Sequence, residues 1–324
     1  MVRTIKLISS LALAASLAAC GTDTGSGDRG SLALGPSTPG VTVTTSDGSN
    51  ANRSGFSLRL TDAPIDGLSQ VILQFTEIEL KPERGGWIRY TLPKPRPIDL
   101  LALHGLTTAD LLVNMPIEPG VYKQLRFLVD DAPMANKIVM KGGGVKNLEV
   151  PDGSSVGLRI NQKFTIPEDR LVNFTVDFDL RKSVNLNRNL GLYKFKAKMR
   201  LVVDSDVGFV RGSVDPALLI GPGCSDADVD THNAVYVYSG HNAATDDINE
   251  LSTTKNEPVT TTPIMYDSAS GLYIYEAAFL PQDAYTVAFT CNADLDDNET
   301  DDILPFFFTR NVNVLVTDKT FLKP

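Results

Sequence analysis

Two acidic runs in the last third of the sequence carry the residue types best suited to bind a metal ion. One run follows Cys224 and the other follows Cys291. Oxygen ligands at alternate positions suit a hard cation such as Ca²⁺, because alternation lets one loop wrap several carboxylates around the ion. The predicted calcium ligands are Asp226, Asp228, Asp230, Asp294, Asp296, Asn298 and Asp301.

The same runs are also typical of a solvated acidic loop that keeps a domain soluble. Carboxylates that converge without a cation repel one another, which favours this second interpretation. Neither run is an EF-hand, since Glu299 and Pro305 stand where that loop needs glycine and glutamate. The sequence therefore leaves both interpretations open.

The start of the chain has the layout of a signal peptide. Arg3 and Lys6 precede an apolar stretch at 7–17, and the residues at 17–20 are Leu-Ala-Ala-Cys. This run resembles a bacterial lipobox, which implies removal of residues 1–19 and a lipid on Cys20. Gly21 at the following position resembles lipoproteins that Gram-negative bacteria sort to the outer membrane. We therefore expect a membrane partner, reached through the lipid on Cys20.

Residues 20–54 connect this anchor to the rest of the chain. They are dominated by Gly, Ser, Thr, Pro and Asp without periodicity, and such segments cannot bury enough apolar surface to fold. A flexible linker of this length has ends about 30 Å apart on average. We predict a disordered tether that holds a folded domain away from the lipid.

The other two cysteines form an even pair. Once Cys20 carries lipid, Cys224 and Cys291 remain in an oxidising compartment, where unassigned cysteines are expected to pair. We predict a disulfide between them, which would bring the two acidic runs together.

Charge divides the remaining chain into two parts. Residues 55–205 have a net charge of +4, whereas residues 206–324 have a net charge of −14. Such a shift marks a domain boundary, and we predict domains at 55–205 and 206–324. The overall composition, 42% hydrophobic and 21% charged, is that of a globular protein with a real core.

Alternating apolar residues predict strands in both domains. Phe56, Leu58 and Leu60 alternate with polar residues, and the stretches at 125–129 and 172–178 do the same. Turn signals separate these segments at short intervals, which predicts two antiparallel β-sandwich domains in an all-β protein. A short helical insertion is expected over residues 98–114, interrupted at Gly105.

Several motifs in the first domain resemble those of a known family. They include Thr-Asp-Ala-Pro at 61–64, Pro-Gly-Val-Tyr-Lys-Gln-Leu-Arg at 119–126 and Val-Pro at 150–151, followed by strands at 174–180 and 193–201. Together they look like the domain of unknown function 4382, found in bacterial, often lipid-anchored, envelope proteins. The resemblance implies a β-rich domain and no established activity.

The second domain contains a strand, a proline turn and a tyrosine-containing strand at 273–287. This stretch is similar to transthyretin-like sandwiches, such as carboxypeptidase regulatory domains and carbohydrate-binding-like modules. The resemblance implies an accessory domain that is not catalytic.

A row of cations lies at the end of the first domain. If residues 193–201 form one strand, four cations share a face and could bind a polyanion such as lipopolysaccharide phosphate. The alternative is a solvated face paired with Asp177 and Asp179, or an edge strand protected by charge. Nucleic acid is not expected, because that face carries no aromatic side chains. The row consists of Lys194, Lys196, Lys198 and Arg200.

No catalytic motif stands in a suitable context. Gly-Ser-Ser-Val-Gly at 153–157 matches the sequence pattern of a nucleophile elbow, but a strand-like run follows it where a helix is required. The three histidines show no spacing typical of a zinc site. We therefore expect a protein that is not an enzyme, with a hydrolase as a distant alternative.

Two functions remain. The first is an outer-membrane-anchored module that binds a glycan or another envelope ligand and is stabilised by calcium. It predicts that Trp87, Tyr90, Tyr236 and Tyr238 are exposed on one face. The second is a structural envelope protein that contacts other proteins, which predicts buried aromatics and a free strand edge.

Overall fold

The protein is built mainly from β-strands, as expected. The computed structural model describes residues 37–45, 54–63, 65–187, 191–249 and 256–316. Its strands are β1 (Thr42–Thr44), β2 (Ser54–Ala63), β3 (Leu68–Pro82), β4 (Ile88–Asp99), β5 (Ala109–Ile117), β6 (Gly120–Val129), β7 (Lys137–Met140), β8 (Val145–Glu149), β9 (Leu158–Ile160), β10 (Phe164–Ile166), β11 (Leu171–Asp179), β12 (Val184–Asn187), β13 (Leu192–Phe195), β14 (Met199–Val203), β15 (Val207–Val214), β16 (Ala234–Ser239), β17 (Thr260–Asp267), β18 (Leu272–Pro281), β19 (Ala284–Thr290) and β20 (Phe308–Asn313).

Helical structure is limited to single turns in the described residues. The two α-helices are α1 (Leu180–Ser183) and α2 (Pro216–Leu219), and the 3-10 turns are Leu100–Ala102, Asp204–Asp206 and Ala293–Leu295. The predicted signal peptide at 1–19, Cys20 and most of the predicted tether at 20–54 lie outside the described residues.

The strands form three sheets. A ten-stranded sheet has the order β1-β4-β3-β7-β8-β13-β12, and β6 joins it together with β9 and β10. A four-stranded sheet has the order β14-β11-β2-β5. The six-stranded sheet, β15-β18-β17-β16-β19-β20, is made from residues 207–313 alone. All described residues lie in one compact unit, and the boundary at 205 stays a prediction.

The main core lies between the four-stranded and ten-stranded sheets. Strand β11 contributes Phe178, whose ring centre lies 6.4 Å from that of Phe75 on β3 and 6.1 Å from that of Phe127 on β6. Phe56 and Leu58 on β2 are also fully buried in this core. The alternation seen in the sequence therefore marks the inner face of the four-stranded sheet correctly.

The outer face of the same sheet is polar, although little of it is exposed. Arg59 on β2 forms an ion pair and hydrogen bond with Asp204, and both side chains are buried. Thr175 on β11 donates a hydrogen bond of 2.7 Å to Asp204 Oδ1. Farther along the sheet, Arg200 Nε donates to Asp177 Oδ2 at 2.6 Å. Hereafter we call this surface the polar face.

The sheets were predicted to be antiparallel, but two pairs of neighbouring strands are parallel. In the ten-stranded sheet, β13 runs parallel to β8. In the four-stranded sheet, β11 runs parallel to β2, with residues 171–179 paired to residues 55–63. Parallel neighbours need a long crossover connection. Here most of the ten-stranded sheet forms that connection, so local sequence patterns contain no signal for the pairing.

The helix predicted over residues 98–114 is wrong. Only Leu100–Ala102 forms a 3-10 turn, and residues 109–117 form β5. The adjacent Leu111 and Leu112 both belong to the main core, whereas successive side chains of a regular strand point to opposite faces. Register irregularities where β5 pairs with β2 bring both leucines inward, so their spacing resembled that of a helix.

The C-terminal sheet folds around its own core. Val235, Val237 and Val287 are fully buried there. Strand β17 pairs first with β16 through residues 260–263 and then with β18 through residues 264–267. Strand β17 lacks the usual strand signal, because its first half is Thr-Thr-Thr-Pro rather than an apolar alternation.

Candidate functional site

The structure contains the disulfide predicted between Cys224 and Cys291. Their Cα atoms lie 5.1 Å apart, and Cys291 is buried in the core of the C-terminal sheet. The bond holds the starts of the two acidic runs side by side. Across this junction, Ser225 Oγ donates a hydrogen bond of 2.8 Å to Asp294 Oδ1.

The first acidic run folds onto itself. Asp226 Oδ1 accepts a 3.0 Å hydrogen bond from Asp228 N, and Asp228 Oδ1 accepts one of the same length from Asp230 N. The bond from the Asp228 amide, followed by the bond from Thr231, lowers the pKa of the Asp226 carboxyl. These carboxylates cap their own loop, as is common in Asx turns.

A serine, a histidine and an aspartate meet beside this loop without forming a catalytic relay. Ser225 Oγ lies 3.3 Å from His232 Nδ1, and Asp226 Oδ2 lies 2.9 Å from the same nitrogen. A Ser-His-Asp relay needs the serine and the aspartate on different ring nitrogens. This geometry therefore offers no support for a hydrolase.

The second run contributes to a different group of carboxylates. Side-chain oxygens of Asp247, Asp296 and Asp302 lie within 4.8 Å of one another, and we call these residues the carboxylate trio. Only Asp296 belongs to the predicted ligand set. Asp247 precedes Asp296 by 49 positions, so no local pattern joins it to the second run.

The trio is partly enclosed and already hydrogen-bonded. Asp296 Oδ1 accepts a 3.0 Å bond from Ile248 N, and its other oxygen accepts one from the Tyr236 hydroxyl. Asp302 N donates to Asp247 Oδ2 at 2.6 Å. Burial raises the pKa of the Asp296 carboxyl to about 6, although Arg181 opposes this shift.

The other predicted calcium ligands do not join the trio. Asn298 is buried and structural, since its Nδ2 donates to the Arg181 carbonyl at 2.8 Å and its Oδ1 accepts from Asn185 at 3.0 Å. Asp294 and Asp301 are exposed. The predicted set is therefore not one site in this structure.

The predicted row of cations is also divided. Lys194 lies on β13 in the ten-stranded sheet, whereas Arg200 lies on β14 in the four-stranded sheet. The Nζ atom of Lys194 is 3.8 Å from Glu149, that of Lys196 is 3.7 Å from Glu299, and Arg200 pairs with Asp177. Lys198 lies between the two strands. The prediction that residues 193–201 form one strand with a continuous row of four cations is therefore wrong.

The aromatic residues expected on an exposed face are mostly inside. Tyr90, Tyr236 and Tyr238 are fully buried. Trp87 is half-buried beneath Arg126, whose guanidinium carbon lies 4.2 Å from the ring centre. These four side chains form no exposed stacking platform.

A large open cleft of about 1280 Å³ lies against the exposed end of the polar face. The buried pair of Arg59 and Asp204 belongs to its lining, and Arg170 and Asn173 are exposed beside that pair. Three cationic side chains and four carboxylates line the cleft, so its charges nearly balance. The polar and charged lining residues are Ser57, Arg59, Asp110, Gln162, Lys163, Thr165, Asp169, Arg170, Asn173, Asp204, Ser205 and Asp206.

The raised pKa of Asp296 predicts a pH-dependent stability. An unfolded aspartate titrates near 3.9, so between about pH 4 and pH 6 the folded chain holds a proton that the unfolded chain has lost. The contribution of this carboxyl to the free energy of unfolding must therefore fall as pH rises, by roughly 3 kcal/mol. Urea denaturation in the presence of chelator measures it.

The Asp296→Asn variant should lose this part of the decline, because an amide does not titrate. The exposed Asp294→Asn variant is the control and should keep the decline. Equal pH dependence in the wild type and the Asp296→Asn variant would contradict the assignment.

None of the described helices is long and apolar enough to cross a bilayer.

Comparisons with known proteins give one match. No curated protein and no solved structure matches the chain. Residues 53–197, which include the ten-stranded sheet except β1 and the four-stranded sheet except β14, match the family model of a domain of unknown function, DUF4382.

Proposed function

We propose that the protein is a non-catalytic lipoprotein of the bacterial outer membrane that binds a neutral glycan of the envelope in the cleft on its polar face. The observation that carries this proposal is the cleft itself. Its volume of about 1280 Å³ exceeds the size typical of sites for small ligands. Several sugar units fit such a space better than one small metabolite does.

The lining favours a neutral, hydroxyl-rich ligand over a polyanion. Asn173 and Gln162 offer amide donors and acceptors, while Arg170 and Asp169 add charged hydrogen-bonding groups of both signs. All four side chains are exposed and able to meet a ligand. Because cations and carboxylates nearly balance, the cleft lacks the excess positive charge that attracts polyanions.

The floor of the cleft is well ordered. Arg59, Asp204 and Thr175 form a buried network whose members hydrogen-bond to one another. A fixed arrangement of this kind lowers the entropic cost of ligand binding. The network thus supports a binding site that exists before the ligand arrives.

A second candidate is the structural, protein-binding function. Its supporting observation is the hairpin of β17 and β18, where Met265, Tyr266 and Leu272 are 43%, 56% and 50% exposed. The ring of Tyr266 lies 5.3 Å from that of Tyr273 across the hairpin. Exposed apolar groups of this kind are typical of protein contacts. The buried aromatics also agree with this function.

Calcium is proposed at the carboxylate trio rather than at the predicted ligand set. A divalent ion there would favour the ionised form of Asp296 and relieve the repulsion among three carboxylates. Calcium should therefore raise the melting temperature by several degrees, and magnesium should not, because Mg²⁺ demands stricter geometry. The Asp302→Asn variant should show a smaller rise than the wild type, and Asp228→Asn should keep the full rise. An equal response in both variants would exclude the trio.

The anchor is proposed at Cys20. A Cys20→Ser variant cannot receive lipid, so it should no longer incorporate labelled palmitate, whereas the unchanged chain should. Labelling of cells followed by immunoprecipitation measures this change, with Cys224→Ser as the control that keeps the label. Labelled palmitate in the Cys20→Ser variant would contradict the lipid anchor.

The cleft is tested by exposed substitutions that leave the core intact. Arg170→Ala combined with Asn173→Ala should weaken binding of neutral oligosaccharides about thirtyfold, since each substitution removes a hydrogen-bonding group worth about 1 kcal/mol. Calorimetric titration of a neutral oligosaccharide panel and its anionic counterparts measures the effect. The exposed Lys146→Ala is the control.

Unchanged affinity in the double variant would exclude the cleft as the glycan site. Absence of binding to the whole panel, together with protein binding that is lost in Tyr266→Ala, would favour the second candidate.

A further inference from the structure

A small chamber lies where the other end of the polar face meets the C-terminal sheet. Its volume is about 10 Å³, which is close to the space needed by one water molecule. Asp62 and Asp177 line it from β2 and β11, while Thr261 and Glu276 line it from β17 and β18. The chamber thus joins the segment that matches DUF4382 to the six-stranded sheet.

Two buried oxygens in the residues of this chamber have no hydrogen-bond partner. They are Oδ2 of Asp62 and Oγ1 of Thr261, and these residues are only 5% and 3% exposed. Buried polar atoms are nearly always satisfied, because an unmet hydrogen bond costs about 1–3 kcal/mol. The two oxygens do not bond to each other, so an atom between them would satisfy both.

The charges around the chamber indicate which kind of atom would satisfy both oxygens. Asp177 is paired with Arg200 at 2.6 Å, and Lys182 lies 3.5 Å from Asp179. Within the described parts of the chain, Asp62 and Glu276 have no such cationic partner. The described structure therefore offers these two carboxyl groups no compensating positive charge.

The Asp62 carboxyl is the more enclosed of the two. Burial, followed by the charges of Asp177 and Asp179, raises the pKa of this carboxyl well above its usual range. Glu276 Oε1 accepts a 3.1 Å bond from Leu106 N, so it is fixed at the rim by the backbone. A positive charge in the chamber would stabilise the ionised form of Asp62.

The ligand types also restrict the occupant. The chamber is lined by carboxylate, hydroxyl and backbone groups, with no histidine or cysteine among its lining residues. Oxygen ligands of this kind select hard cations such as Na⁺ or Ca²⁺ over zinc or copper.

We propose that this chamber is a binding site for one hard metal cation, held by Asp62 and Thr261, that fastens the C-terminal sheet to the polar face. The site differs from the carboxylate trio in residues and in ligand types. Its occupant joins two sheets, whereas the trio joins loops around the C-terminal sheet.

The test uses the full mature chain with Cys20→Ser, so that it can be handled without detergent, and with Asp302→Asn, so that the carboxylate trio does not contribute. Melting temperatures are measured in sodium, potassium, magnesium and calcium chlorides at equal ionic strength, with tetramethylammonium chloride as the reference. At least one metal cation should raise the melting temperature by several degrees in a saturable way, because a ligand of the folded state stabilises it.

Variants locate the effect. Thr261→Val keeps the side-chain shape without the hydroxyl and should abolish the rise, whereas Thr261→Ser should keep it. A rise in this Asp302→Asn background reports on the chamber and not on the trio. If Thr261→Val does not fold, Asp62→Asn replaces it and should likewise abolish the rise.

Two results would overturn the proposal. One is equal melting temperatures in all metal chlorides and in tetramethylammonium chloride, which would mean that a neutral water fills the chamber. The other is a metal-dependent rise that persists in Thr261→Val or in Asp62→Asn.

Discussion

The structure depends on the need to satisfy charges on the outer side of one sheet. The four-stranded sheet buries Phe56, Phe174 and Phe178 on its inner face, so it cannot turn away from the core. Its outer face carries Arg59 and Asp204, and a buried charge that loses its partner costs several kcal/mol. The chain meets this constraint by pairing the charges and by covering one end of the face with the C-terminal sheet. The uncovered end becomes the cleft.

The sequence predicted the inner face well and the outer face poorly, for the same physical reason. Alternation of apolar residues within a strand is local, so β2 and β11 are readily recognised. The partner of Arg59 lies 145 positions away, and no local pattern indicates such a pairing. The predicted helix over 98–114 failed because two consecutive leucines are buried at a register irregularity. Only the register of the neighbouring strand explains their spacing.

The candidate sites show the same division. The disulfide was predictable, because only one pair of cysteines remained once the lipid site was assigned. The grouping of the carboxylates was not, since the alternating aspartates after Cys224 bond to their own backbone, while Asp296 and Asp302 of the second run lie beside Asp247. Likewise, the four cations are evenly spaced in the sequence, but β13 and β14, which carry Lys194 and Arg200, belong to different sheets. In each case the regular spacing is present in the sequence, but the path of the folded chain decides which side chains lie together.

The central claim is that the open end of the polar face binds a neutral glycan of the envelope. Hydrogen–deuterium exchange of the mature chain, with and without the tightest neutral oligosaccharide of the panel, tests this claim most directly. We expect slower exchange in residues 162–173 and 201–206, which line the cleft, and unchanged exchange in the hairpin at 264–275. Protection confined to that hairpin, or no protection at all, would contradict the claim.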